Sequence, residues 1–180
     1  YLLTASFRAD GSSRFAKGNR WGFFPSMALG WRINNENFFK NWNIDNVVSN
    51  AKLRVGWGEN GNQRINRKAA LTLIGTNNEK QWNFGSTYSQ GYVPTYTGNP
   101  DVKWEKDRQA NIGLDLGFFG NSLNVTLDYY VKKTTDMLLQ VPIPEFGSYA
   151  NDPFFNAGDL KNTGFDMSVN YQGRINRDLT

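Results

Sequence analysis

Residues 56–61, Gly-Trp-Gly-Glu-Asn-Gly, match the dinucleotide-binding pattern G-x-G-x-x-G, and Glu79 follows at about the distance of a ribose-binding carboxylate. A phosphate loop of that kind follows a buried parallel strand, which is apolar on both faces. The segment before Gly58 instead carries Lys52 and Arg54 at alternate positions. The pattern therefore favours the glycine-rich end of a strand with one polar face over a nucleotide site.

The sequence contains no Cys and no His, which excludes thiolate nucleophiles, disulfides, His-centred triads and His or Cys metal ligands. Carboxylates remain, but nothing in the sequence fixes the separation that a catalytic pair needs. We therefore expect no enzyme, no catalytic residue, no cofactor and no metal site. Three Asp residues, Asp115, Asp128 and Asp166, are candidates for ligand contacts. The favoured interpretation is that they form ion pairs with cations on neighbouring strands. The candidate cations are Lys52, Arg54, Arg8 and Lys132.

Composition predicts an all-β fold. Hydrophobic residues make up 39% of the 180 residues, aromatic residues make up 15%, and there are 18 Gly. This composition is too aromatic for a disordered chain and too glycine-rich for a helical one. The formal net charge is +4, but Lys and Arg are scattered singly, so no nucleic-acid partner is predicted.

Apolar and polar residues alternate through six segments, as expected for strands that lie between two different environments. One face holds long runs of apolar side chains, and the other holds Gly, Ser, Thr, Asn, Asp, Lys and Arg. The apolar positions are Leu3 to Ala9, Trp21 to Ile33, Leu53 to Trp57, Ala110 to Phe118, Leu123 to Val131 and Phe165 to Tyr171, taken at every second residue. We predict about six antiparallel strands.

The longest apolar face is bracketed by Trp21 and Trp31. Ten residues of a strand tilted by about 40° rise about 25 Å, the height of the apolar band on a membrane barrel. Trp21, Trp31 and Tyr129 are therefore predicted to belong to lipid-facing aromatic girdles. The competing interpretation places them in the core of a soluble all-β sandwich, such as a carbohydrate-binding module.

Connections between the predicted strands alternate between short and long. Gly120-Asn121-Ser122 forms a tight hairpin turn, whereas residues 62–103 and 142–161 form long loops. Long loops opposite short turns are typical of outer-membrane barrels. On the short-turn side we also predict one helical turn from Glu36 to Lys40, capped by Asn34 or Asn35, with Phe38 and Phe39 against the barrel rim.

Aromatic residues are concentrated in the first long loop. Their flat, amphipathic faces suit contact with a sugar or a partner protein, although packing of the loop against itself is the favoured alternative. The predicted contact residues are Trp82, Phe84, Tyr88, Tyr92 and Tyr96.

Further sequence motifs cover nearly the whole chain, in residues 3–15, 19–26, 30–32, 52–54, 58–63, 99–106, 128–130 and 162–166. Together these segments resemble SusC/RagA-type TonB-dependent transporters.

This resemblance implies an antiparallel transmembrane β-barrel, with residues 1–180 forming about six strands of a larger, 22-stranded barrel and with the plug domain and TonB box not in this chain. It implies outer-membrane localisation, contact with outer-membrane lipid, import of an oligosaccharide (glycan) or peptide substrate, coupling to TonB through the missing N-terminal part, and a SusD-like surface lipoprotein as partner. A siderophore or vitamin receptor barrel remains the alternative within the same class.

Overall fold

A computed structural model describes residues 1–41, 47–85, 87–142 and 151–173. Within those ranges the chain forms ten strands, one 3-10 turn and one short helix. In chain order they are β1 (Leu2–Gly11), β2 (Trp21–Arg32), the 3-10 turn (Ile33–Asn35), α1 (Asn37–Asn41), β3 (Val48–Asn62), β4 (Leu73–Phe84), β5 (Thr87–Tyr96), β6 (Glu105–Phe118), β7 (Leu123–Thr135), β8 (Leu138–Gln140), β9 (Phe154–Asn156) and β10 (Leu160–Tyr171).

Six long strands form one antiparallel sheet in the order β1-β2-β3-β6-β7-β10. These are the six strands that the alternation predicts, and the prediction is confirmed. Of the four remaining strands, β4 and β5 lie inside the first predicted long loop and pair with each other. Strand β9 lies inside the second predicted loop and pairs with β8, which ends two residues before that loop as predicted. Sequence reasoning missed them because β8 and β9 have only three residues each and because β4 and β5 lack a continuous apolar face.

We call the six long strands of this sheet the wall strands. Their apolar positions all lie on one side of the sheet, here called the apolar face, and the opposite side is called the polar face. Directly paired residues form a row that crosses every strand: Leu3, Leu29, Val55, Ile112, Tyr129 and Phe165. These six side chains are between 44% and 69% exposed, and no second sheet covers them in the described ranges. A soluble sandwich would bury these residues between two sheets, and the described residues do not form that arrangement.

The apolar face is not level across the sheet. On β2 it extends to Trp21, whereas on β3, β6 and β7 it extends only to the row that Met27 shares with Trp57, Ala110 and Val131, three rows short of Trp21. An apolar band that is offset along the strands is expected where strands cross a membrane at a tilt.

The two ends of the sheet differ in their connections. Phe119 to Ser122 form the predicted tight turn, in which Gly120 and Asn121 both have a φ of 66°. By strand parity, the long segments that contain β4–β5 and β8–β9 leave from the opposite end. We call these the tight-turn end and the long-loop end.

The predicted helical turn is present, but its predicted cap is wrong. The α-helix begins only at Asn37, because Asn34 and Asn35 both lie in the preceding 3-10 turn. The side-chain amide of Asn34 donates to Asn35 Oδ1 at 3.4 Å. Phe39 is buried, as expected for a residue packed at the rim. Phe38 is 43% exposed and its ring contacts Trp31 edge-on at 6.2 Å.

A small hydrophobic core lies at the long-loop end. Its members come from β2 and from the connecting segments: Phe15, Phe24, Ile65, Ala69, Val102 and Trp104, with Leu138 and Phe154 packed against it. We call this set the loop-base cluster. Phe24 is the one bulky residue on the polar face of β2, and its burial in this cluster explains that exception.

Candidate functional site

The polar face of the sheet carries charged and very small side chains in register. One row consists of Leu2, Gly30, Arg54, Gly113, Asp128 and Asp166. The neighbouring row holds Lys52, Asp115, Thr126 and Ser168. Ala28, Gly30, Gly56 and Arg54 line a shallow hollow in this face. The arrangement is a polar wall with room beside its charges.

Arg54 is the centre of an ion cluster on this wall. Its Nε donates to Asp115 Oδ2 at 2.8 Å and its Nη2 donates to Asp115 Oδ1 at 3.0 Å, which makes the pair bidentate. Nη2 also donates to the two carboxylate oxygens of Asp128 at 3.1 and 3.0 Å. One guanidinium therefore joins strands β3, β6 and β7. The sequence prediction that Asp115 and Asp128 meet a cation is confirmed.

Gly113 makes this three-strand contact possible. It lies directly between Arg54 and Asp128 in the row, on the intervening strand β6. A Cβ atom at position 113 would collide with Asp128 Oδ1 and would lie 2.7 Å from Arg54 Nη2. Only glycine leaves space for the guanidinium to cross β6, which the sequence pattern did not reveal.

The other predicted charges have different partners. Arg8 pairs with Asp10 at 2.8 Å and donates to Asn60 at 2.6 Å, and Lys132 lies 3.3 Å from Asp107. Asp166 is directly opposite Asp128, but it makes no ion pair within the described residues. Lys52 likewise has no carboxylate partner there, so the pairing predicted for these two is not formed.

In the described ranges there is no group of three carboxylates that could hold a metal ion. The same ranges contain no helix with the length and apolarity needed to cross a bilayer. The Asp115 and Asp128 carboxylates both bind the guanidinium of Arg54.

The G-x-G-x-x-G segment is part of a strand. Residues 56–61 lie within β3, which continues to Asn62, and Gly58 pairs with Ser26 on one side and Gln109 on the other. A Cβ atom at Gly61 would overlap the ring of Phe24, so this glycine admits the loop-base cluster. The interpretation of the glycines as structural is confirmed.

The predicted contact residues of the first long loop lie on the β4–β5 hairpin. Tyr92 is 76% exposed and pairs with Thr76, next to the pair of Ile74 and Pro94, which is exposed on the same side. The side chains of Trp82, Phe84 and Tyr88 lie outside the described residues. Ile74 is 68% exposed, and the aromatic pattern of the sequence did not indicate this aliphatic side chain.

Tyr96 is buried, so its predicted contact with a ligand or partner is not supported. It is only 6% exposed, and burial raises the pKa of its phenol. Its backbone pairs with Leu73 at the base of the hairpin and forms a bridge with Asn151. Tyr96 therefore packs the two long loops together and is not available to a ligand or partner.

The predicted girdle residues lie near the ends of the apolar face. Trp21 is exposed at the long-loop end of β2. Trp31 lies at the tight-turn end, where its Nε1 donates to Glu36 Oε1 at 2.9 Å and its ring stacks on Tyr1. Tyr129 lies two rows from Lys133, the first charge beyond the apolar face on β7. Their girdle role stays a prediction.

An antiparallel sheet with one apolar and one polar face, long loops at one end and tight turns at the other is typical of a transmembrane barrel wall. Residues 1–180 match the family of TonB dependent receptor-like β-barrels, and the chain belongs to this family. Members of the family lie in the bacterial outer membrane, which places the apolar face against lipid and the polar face toward the barrel interior.

Among curated relatives, the chain is 44% identical to the TonB-dependent receptor SusC of Bacteroides thetaiotaomicron over 182 residues, which cover 100% of this chain and 18% of that protein. It is 40% identical to the TonB-dependent receptor P39 of Formosa agariphila over 171 residues, which cover 94% of this chain and 15% of that protein. The chain thus spans less than a fifth of the length of these relatives.

Solved structures give the same result. The RagAB peptide importer in its "closed-closed" state matches with a TM-score of 0.82 at 33% identity, over 97% of this chain and 18% of that one. The "open-open" state matches with a TM-score of 0.81 at 34% identity, over 98% of this chain and 18% of that one. The fold of this wall segment is therefore shared with both states of that importer.

Proposed function

We propose that residues 1–180 are six adjacent wall strands of a TonB-dependent outer-membrane importer of oligosaccharides or peptides. The observation that carries the proposal is the pairing of an apolar face and a charged polar face in register across six strands, in a chain 44% identical to SusC over its whole length. In this role the segment is no enzyme: it forms part of a passage, and its polar face lines the route of the substrate.

The wall contributes rigidity to this function. The Arg54 ion cluster joins three strands, and the loop-base cluster fixes the long loops at the mouth of the passage. The equal likeness to the "open-open" and "closed-closed" states of the peptide importer supports a wall that keeps its fold while other parts move. Energy from TonB would enter through parts of the full-length protein other than these strands.

Uptake by cells that carry the full-length protein tests the proposal. A strain lacking the gene, a strain lacking TonB and the wild type would each be given labelled pools of oligosaccharides and of peptides. We expect the first two strains to lose uptake of the same class of substrate. Uptake that persists in both would contradict the proposal. A defect confined to growth on limiting iron or vitamin would favour the siderophore or vitamin receptor instead.

We infer further that a SusD-like surface lipoprotein contacts the exposed side of the β4–β5 hairpin. Ile74 and Tyr92 expose 68% and 76% of their surfaces there, at the long-loop end, and aromatic side chains such as Tyr92 are enriched at the centres of protein interfaces.

Copurification of the tagged lipoprotein with the full-length barrel tests this contact. The variant I74E/Y92E should lose most of the copurified lipoprotein. The matched control is L139E/F155E, which alters a directly paired apolar couple on the β8–β9 hairpin. Undiminished copurification with I74E/Y92E would refute the contact.

A further inference from the structure

On four of the six wall strands, the apolar face ends in a row of charges at the long-loop end. Glu59, Arg108, Lys133 and Lys161 are directly paired neighbours on β3, β6, β7 and β10, one row beyond Trp57, Ala110, Val131 and Thr163. We call these four residues the boundary row. Lys106 lies on the same face one row further out, opposite Thr135. The row therefore marks the level at which the wall leaves the hydrocarbon layer.

Cations outnumber carboxylates at this boundary. Arg108 Nε donates to Glu59 Oε1 at 2.6 Å, which neutralises one cation. Lys133 Nζ is 3.3 Å from Asp159, but both side chains are more than half exposed, so this pair is weak. Lys106 and Lys161 have no carboxylate partner within the described residues. By contrast, Lys132 on the polar face is held by Asp107.

The geometry of the sheet makes this excess unfavourable without a counter-ion. Arg108 is directly opposite Lys133, and Lys133 is directly opposite Lys161. Like charges at directly paired positions of neighbouring strands destabilise a sheet. An anion placed among the three side chains would turn this repulsion into charge-assisted hydrogen bonding.

The rows beneath the boundary row fit the rest of a lipid molecule. Ala110, Val131 and Thr163 are short, so a headgroup can approach the strands closely. The next row, Ile112, Tyr129 and Phe165, exposes between 48% and 63% of each side chain to the hydrocarbon layer. Cations above an apolar surface at a membrane boundary attract anionic headgroups.

We propose that the cations of the boundary row, Arg108, Lys133 and Lys161, together with Lys106, bind the phosphate of a lipid headgroup in the leaflet on the long-loop side, while the acyl chains lie along β6, β7 and β10. The proposal rests on the membrane placement of the apolar face and is independent of the imported substrate. A free phosphate ion lacks the acyl chains and would gain nothing from the apolar rows.

Native mass spectrometry of the full-length barrel in detergent micelles tests the proposal, with lipid A that carries two phosphates and lipid A from which both are removed as probes. The first comparison uses the unaltered protein. We expect bound lipid with the phosphorylated probe and at least a tenfold weaker signal without the phosphates, with no displacement by millimolar inorganic phosphate. Equal binding of the two probes would overturn the proposal, as would displacement by inorganic phosphate.

The second comparison uses the variant K106Q/K133Q/K161Q, which keeps the Arg108–Glu59 pair. Its apparent affinity for phosphorylated lipid A should fall roughly ten- to a hundredfold, since each cation near an anionic lipid surface contributes appreciably. The matched control, K17Q/R67Q/K68Q, loses the same three charges from exposed loop positions at the same end. Equal weakening in the two variants would show a net-charge effect and overturn the proposal.

A third variant, K106R/K133R/K161R, keeps the charges and should retain binding. Heat-modifiable migration in gels confirms that each variant is folded, and uptake of the imported substrate should stay unchanged in all of them. The two-lipid comparison decides the outcome even if a triple variant fails to fold, because it requires no substitution.

Discussion

At the scale of single residues, the wall depends on one arginine and the glycine beside it. Arg54 binds Asp115 and Asp128 at the same time, and Gly113 leaves the space through which its guanidinium crosses the middle strand. About a third of the Arg54 side chain is exposed, so water screens part of this attraction. The cluster is therefore worth less than a fully buried one and more than a surface pair.

Replacing Arg54 with Ala should destabilise the folded barrel by about 1–3 kcal/mol, because two half-buried carboxylates would lose their partner and repel each other. The measurement is the folded fraction of the full-length protein in a urea titration, read from heat-modifiable migration. Arg32→Ala, on the same face but without an ion pair in the described residues, should change stability by less than about 0.5 kcal/mol. A loss for Arg54→Ala as small as that of the control would contradict the structural role of the cluster.

At the scale of strands, a single alternation decides which side chain meets lipid and which meets the interior. Leu127 and Thr126 are neighbours on β7, yet Leu127 lies in the row with Leu53, Leu114 and Met167, and Thr126 lies in the row with Asp115. The Leu127 row is near the middle of the apolar face on β7, which runs from Leu123 to Val131.

An arginine at position 127 should therefore cost about 2–4 kcal/mol, the penalty for placing this side chain at mid-bilayer on a barrel. Thr126→Arg, one residue away but directed to the polar face beside Asp115, should cost less than about 1 kcal/mol. Urea titrations of the two variants in lipid vesicles supply the comparison. Equal effects would mean that the two faces do not see different environments.

At the scale of the whole molecule, the six-stranded sheet has two open edges, β1 and β10. Their outer backbone groups find no strand partner in the described ranges, and a lipid environment supplies no hydrogen bonds for them. The wall is complete only when further strands pair with both edges and close the barrel. The same closure creates the interior in which the polar face has a function.

A polypeptide consisting of residues 1–180 alone should therefore fail to remain monomeric in detergent, whereas the full-length barrel should give a single monomeric species. The expected behaviour of the segment is aggregation through its edges, seen as a broad early peak in size-exclusion chromatography with light scattering. A stable, heat-modifiable monomer of the segment would contradict this account of its edges.

Much of this architecture was predictable from the sequence, because a strand between lipid and water alternates apolar and polar residues. That pattern located all six wall strands and their two faces, and Gly120-Asn121 located the tight turn. It failed for β8 and β9, which are too short to show a period, and for the helix cap, where local 3-10 geometry outweighed the usual preference of Asn34 or Asn35.

The site was less predictable than the wall. The sequence showed that Asp115 and Asp128 face the interior, but several cations were possible partners, and only the register assigns both to Arg54. Tyr96 and Tyr92 look alike in sequence, yet one is buried between the loops and the other is exposed. Contacts between segments far apart in the chain decided each of these cases.

The sequence by itself determined the two faces, the six wall strands and the family resemblance, because these follow from local alternation and from motifs in contiguous residues. Only the tertiary structure decided the strand register, and with it the guanidinium that crosses β6 at Gly113 and the cations that meet at the boundary row. The physical reason is that register depends on hydrogen bonds between distant strands, and a shift of one residue would move every side chain to the opposite face.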